Sequence, residues 1–105
     1  MSKYKNIKTN GYASKREAKR AAELNLLERI GEIHGLLEQV TFQLAPSVVV
    51  QGRKRPPLRY IADFTYYDEP GGTMTVEDCK GYRTSEYRIK RHLMMSVHGI
   101  DILET

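Results

Sequence analysis

Two carboxylates and an ammonium in a short stretch are the residues of this chain best suited to chemistry. Asp63 stands in Tyr60-Ile61-Ala62-Asp63-Phe64, and Asp78 with Lys80 in Val76-Glu77-Asp78-Cys79-Lys80-Gly81. Between them Asp68-Glu69-Pro70-Gly71-Gly72 interrupts two β-rich runs, which signals a β-hairpin. If the ladder is symmetric about that loop, Tyr67 or Asp68 faces Thr73 or Met74, and Asp63 falls at or beside the position opposite Asp78. Alternation places Asp78 and Lys80 on one face and Glu77 and Cys79 on the other. Asp78 rather than Glu77 is then the partner of Asp63, and only a one-residue bulge would reverse that choice.

Like charges opposite each other on a ladder are destabilising. At ~5 Å and an effective dielectric of about 20 the repulsion is roughly 3 kcal/mol. A divalent cation would offset it, since Mg²⁺ takes one or two carboxylates and completes its shell with water and phosphate oxygens. Lys80 would then hold a water or neutralise a phosphate.

The elements that position this hairpin are also legible. Ser14-x-x-Glu17 matches a capping box. It opens a helix through Ala18, Ala21, Ala22, Leu24, Leu26, Leu27 and Ile30, ended by Gly31 or His34-Gly35. Val40, Phe42 and Leu44 alternate with Thr41 and Gln43 as a first strand, and Val48-Val49-Val50 reads as its continuation after Pro46. Gln51-Gly52-Arg53-Lys54-Arg55-Pro56-Pro57 reads as a stiff basic loop. Strand two runs from Leu58 to Tyr67 and strand three from Thr73 to Lys80. Thr84 or Ser85 caps a second helix, Glu86 to His98, with Ile89, Leu93, Ser96 and Val97 toward the sheet and Gly99 as its stop. Ile100, Ile102 and Leu103 form a last strand, parallel to the third through a βαβ crossover. The class is α/β, in the order αβββαβ, with a mixed sheet.

The chain has 105 residues, enough for one core. We read residues 1–13 as a basic arm and 14–105 as a single domain. No apolar run reaches membrane-spanning length and Met1-Ser2-Lys3-Tyr4-Lys5 is no signal peptide, so a cytoplasmic protein is expected. The lone Cys79 excludes an internal disulfide and a cysteine-based zinc site, and His34, His92 and His98 have no ligand spacing. Net charge is +4, gathered in three groups. Lys3, Lys5, Lys8, Lys15, Arg16, Lys19 and Arg20 form the first, Arg53, Lys54, Arg55 and Arg59 the second, and Arg83, Arg88, Lys90 and Arg91 the third. A face that meets a polyanion such as DNA fits this, and so does a merely solubilising surface.

Asp63 followed by Asp78-x-Lys80 resembles the motif of the PD-(D/E)xK nuclease superfamily, with Ala62 where that pattern has proline. The similarity extends from Ser14-Lys15-Arg16-Glu17-Ala18 through both strands to Gly99-Ile100-Asp101-Ile102. In that order and at this length the chain resembles a small phage-encoded family related to the phage endonuclease I type of Holliday-junction resolvase. The resemblance implies a restriction-endonuclease-like core and a Mg²⁺- or Mn²⁺-dependent endonuclease acting on branched or double-stranded DNA as a homodimer in the host cytoplasm. It implies metal ligation by Asp63, Asp78, Glu17 and the Cys79 carbonyl, with Lys80 catalytic and Gln39 behind the ligands. Glu17 also has a purely local role, as the capping-box residue. The alternative in another class is a binding module for DNA or protein that retains the fold without the chemistry.

Overall fold

The computed structural model describes residues 11–105; most of the expected basic arm, with Lys3, Lys5 and Lys8, lies outside them. Helix α1 covers Lys15–Arg29. Ser14 is extended and its Oγ accepts from the Glu17 N–H at 3.1 Å, which satisfies one of the donors a helix start leaves open. Glu17, Ala21 and Leu24, spaced along one face, are the helix's buried residues. At its end Gly31 turns left-handed (φ +86), and the Glu32 N–H returns to the Leu27 carbonyl at 2.8 Å.

Strand β1, His34–Ala45, follows. Its Gly35 has φ +64, and an added Cβ there would lie 3.4 Å from the Tyr67 ring. Gln39, also left-handed at φ 54, is exposed. Val48–Val50 is not a continuation of β1. It forms β2 and pairs antiparallel with β3, Arg53–Arg55, in the register Val48↔Arg55, Val49↔Lys54, Val50↔Arg53. Gln51 (φ 52) and Gly52 (φ 75) make the two-residue turn, whose paired positive φ angles match the twist of a tight hairpin. The basic segment expected as a loop is therefore half of a two-stranded ribbon.

Strand β4, Leu58–Tyr67, and β5, Met74–Asp78, flank the Pro-Gly-Gly turn. Thr84 Oγ1 accepts from the Tyr87 N–H at 3.0 Å and opens α2, Ser85–Leu93. The helix widens to a π-helical turn over Met94–His98 and stops at Gly99, φ +68. Strand β6, Leu103–Glu104, lies parallel to β5 with Glu77↔Leu103 and Asp78↔Glu104, later than the expected 100–103. The main sheet is mixed, in the order β1-β4-β5-β6, in a small α/β fold.

Two compact units divide the chain, Met1–Leu36 with Tyr66–Thr75 and Leu37–Thr65 with Val76–Thr105. In the first, Ala21, Leu24, Ile33 and Tyr66 are buried. In the second, Leu44, Tyr60, Ala62, Phe64, Val76, Tyr87, Met94 and Ile102 are buried. The face expected to bury α2 is different in the structure. Ile89 is 61% and Val97 51% exposed, whereas Tyr87 and Met94 are buried. The reason is polar: Tyr87 and Arg91, one turn apart, both reach Glu104 and set the rotation of the helix.

Candidate functional site

The second unit holds Asp63, Asp78 and Lys80, and the chain beyond β5 explains their arrangement. The Asp78 carbonyl accepts from the Thr105 N–H at 3.0 Å and the Lys80 N–H donates to the Thr105 carbonyl at 3.1 Å. Pairing thus continues past Asp78 and keeps the alternation of side chains. On one side Lys80 Nζ lies 3.2 Å from Asp78 Oδ2. On the other, Thr105 Oγ1 donates to Glu77 Oε2 at 3.0 Å and lies 3.5 Å from Cys79 Sγ. Asp78 and not Glu77 accompanies Lys80.

Asp78 Oδ2 also accepts from the Tyr60 hydroxyl at 2.6 Å. The Asp78 side chain is only 3% exposed. Among the described residues its Oδ1 has no hydrogen-bond partner. A buried carboxylate oxygen in that condition is costly. Lys80 Nζ sits 4.3 Å above the Tyr87 ring, within cation–π range. Burial, and then the bond to Asp78, push the Tyr60 hydroxyl far above its ordinary pKa. It is therefore a fixed donor.

Asp63 approaches from β4, where its Oδ2 accepts from the Cys79 N–H at 2.9 Å. It grips the backbone of the middle residue of Asp78-Cys79-Lys80. Repulsion between the two aspartates was the ground for expecting a cation. In the structure Lys80, the Tyr60 hydroxyl and the Cys79 amide already supply positive or donor groups to them. Stability alone does not call for a metal here. Asp63 is not in the wall of the cleft that Asp78 lines, and it meets the Asp78-Cys79-Lys80 segment through the Cys79 amide. Among the described residues no group of three or more His, Cys, Asp and Glu side chains is gathered for a metal ion. Glu17 is buried and belongs to the first unit.

A cleft of about 680 Å³ opens over Asp78 and Lys80, with Arg59, Tyr60, Tyr87 and Lys90 in its wall. The Arg59 side chain has no ion pair or hydrogen bond among the described residues. Lys90 Nζ pairs with Glu86 Oε2 at 3.1 Å, an exposed i,i+4 pair, which leaves it available at little cost.

Glu104 organises the far side of α2. It accepts from the Tyr87 hydroxyl (2.7 Å), from Arg83 Nε (2.7 Å) and from Arg91 Nη1 (2.9 Å). The Tyr87 hydroxyl first, then Arg83, hold the Glu104 carboxyl down at about 2, against an ordinary 4.5. Arg83 and Arg91, expected to meet phosphate, are thus already paired with a carboxylate. Arg53, Lys54, Arg55 and Arg88 are exposed and make no ion pair among the described residues. Lys15, Arg16 and Lys19 are exposed on α1, in the first unit. Tyr60, Tyr87 and Glu104 are the site residues that the sequence does not reveal. Their bonds span 17 or 18 residues, beyond the reach of any local pattern.

Comparison with curated proteins finds no match. Comparison with solved structures finds none either. Among the described residues no helix is long and apolar enough to cross a membrane. Over residues 1–101 the sequence matches the family described as "Protein of unknown function (DUF1064)", and the chain belongs to that family.

Proposed function

We propose that the chain is a metal-dependent DNA endonuclease of PD-(D/E)xK type, hydrolysing phosphodiester bonds at the cleft over Asp78 and Lys80. One observation carries the reading: a buried carboxylate with one oxygen held by Tyr60 and Lys80 and the other unpartnered among the described residues, in a cleft whose wall holds two further cations, Arg59 and Lys90. Structural aspartates are normally satisfied at both oxygens.

In this reading Asp63 and Asp78 hold Mg²⁺ or Mn²⁺, with the Cys79 carbonyl beside them. Such an ion supplies Lewis-acid polarisation of the phosphate and a more acidic bound water. Lys80 neutralises charge that develops on the phosphate oxygens, held in place by Asp78 and the Tyr87 ring. Tyr60 fixes the Asp78 carboxylate in one orientation, and Arg59 and Lys90 bind adjacent phosphates. Preference for branched DNA or a Holliday junction, action as a homodimer, and a host-cytoplasmic setting follow from the family resemblance and are proposed with it.

The test is incubation of purified protein with branched and linear DNA in Mg²⁺ or Mn²⁺. Cleavage is expected, with Asp78→Asn and Lys80→Met each lowering the rate by roughly 10²–10³ while the fold persists by circular dichroism. Equal activity in either variant refutes the assignment. The second reading, a DNA- or protein-binding module without chemistry, is favoured by the internal neutralisation of Asp78. Calorimetry separates the two: no uptake of Mg²⁺ or Mn²⁺ at millimolar concentration makes the binding module the better account.

A further inference from the structure

Beside the cleft lies a groove of about 520 Å³ walled by Leu44, Pro57, Leu58, Ile89 and Leu93. Its rim is Arg59, Glu86 and Lys90, and the same three residues line the cleft over Asp78 and Lys80. The two hollows therefore adjoin across one rim, the first charged with cations in excess and the second mainly aliphatic. Leu58 is 51% and Ile89 61% exposed, a cost that water-facing aliphatic side chains carry unless something covers them.

We infer that this groove receives an unpaired nucleobase next to the phosphodiester held at Asp78 and Lys80. The inference rests on the nuclease reading of the cleft and adds to it the class of substrate: DNA with a base outside the helical stack. A nucleotide joins an anion to a flat, largely apolar ring within a single residue. The adjoining hollows repeat that pairing of charge and apolar surface. A base inside a duplex has both faces stacked and cannot enter an aliphatic groove, whereas a base at a bulge, flap or junction is already free of part of that cost. Glu86 at the rim offers an acceptor to the base edge, while Lys90 beside it stays with the phosphate. A second copy of the chain is a poorer occupant, because it would have to desolvate Arg59, Glu86 and Lys90 together.

The experiment is fluorescence anisotropy in EDTA at low salt, with three DNAs of one length: a perfect duplex, a duplex with one bulged nucleotide, and the same bulge carrying an abasic residue. The natural chain should bind the bulge on the order of tenfold more tightly than its abasic counterpart. In Leu58→Ser/Ile89→Ser that ratio should fall to within about twofold, with duplex affinity and melting temperature unchanged. Both side chains are half exposed, so the fold should tolerate the change.

Equal affinity for base and abasic bulges in the natural chain overturns the inference and leaves the nuclease reading standing. A double variant that loses duplex and bulge binding alike also overturns it. So does one that turns a dimer into a monomer in sedimentation while keeping the tenfold ratio, since the groove would then be a self-contact. No binding to any of the DNAs, either in EDTA or with Ca²⁺ in its place, sinks both readings.

Discussion

The Tyr60 hydroxyl and Lys80 Nζ converge on the same oxygen of Asp78, at 2.6 and 3.2 Å. Two donors on one carboxylate oxygen and none on the other, among the described residues, is an asymmetric way to bury an aspartate. It orients the group without satisfying it. Tyr60 is itself buried, with Phe42 and Tyr87 rings 6.5 and 6.4 Å from its own, so the donor cannot swing away to relieve the imbalance.

The bond should be visible in alkaline titration. Burial foremost, and hydrogen bonds to Asp78 and Glu104 next, raise the Tyr60 and Tyr87 hydroxyls well above their ordinary 10.0. The unfolded chain ionises them near that value. With the folded pKa raised, the stability these groups contribute is fully present below pH 10 and declines as pH rises beyond it. Phenolate absorbance should show tyrosines that titrate only with unfolding, and Tyr60→Phe/Tyr87→Phe should remove that class. Normal titration of every tyrosine in the folded protein would contradict the structure.

Asp78 and Lys80 should be coupled in stability as well as in activity. Lys80→Met leaves a carboxylate that is 3% exposed without its cation, at a cost of about 1–3 kcal/mol. Asp78→Asn/Lys80→Met removes the stranded charge and should recover part of that loss. Urea denaturation of the natural chain, both single variants and the double measures the coupling. Strict additivity would mean that the ion pair is incidental.

The contrast between what the sequence discloses and what it conceals follows from the range of the interactions. Ser14 capping α1, Gly99 ending the second helix, and Asp78 sharing a face with Lys80 depend on residues one to a few positions apart. Local chemistry decides them. The parallel placing of β6 on β5 is legible because a strand, a helix and a strand have few ways to return to one sheet. The ribbon is concealed because Pro56-Pro57 dominates its stretch and because Gln51 takes a left-handed conformation that the residue type rarely adopts. The rotation of α2 is concealed for a different reason. Ile89 and Val97 look like the buried face by apolarity, but Tyr87 and Arg91 are drawn to Glu104, and no local pattern points to that residue.

Glu104 supplies a prediction at acid pH. Its folded pKa of about 2 lies below the ordinary 4.5. With the folded value depressed, its contribution to stability is present above pH 4.5 and is lost as pH falls toward 2. Glu104→Gln should flatten the stability curve across that window. At pH 7 the substitution should cost about 1 kcal/mol, since Arg83 and Arg91 remain solvated when unpaired. A variant that loses stability between pH 4.5 and 2 as steeply as the natural chain would show that another carboxylate controls acid unfolding.

The β2–β3 ribbon tests the polyanion reading separately from any chemistry. Each of Arg53, Lys54 and Arg55 stands opposite a valine rather than a carboxylate, and all three are exposed without an ion pair among the described residues. Their charge is therefore not neutralised within the chain. A two-stranded ribbon has the width to enter a DNA major groove, and cations on it would displace counterions from phosphate. Each phosphate contact adds about 0.9 to the slope of log affinity against log salt, so replacing all three with serine should reduce the slope by about 3. The ribbon turn, Gln51-Gly52, and the valine strand are untouched by that change, so melting temperature should hold. An unaltered slope would remove the ribbon from the DNA-binding surface and leave Arg59 and Lys90 at the cleft to account for phosphate binding.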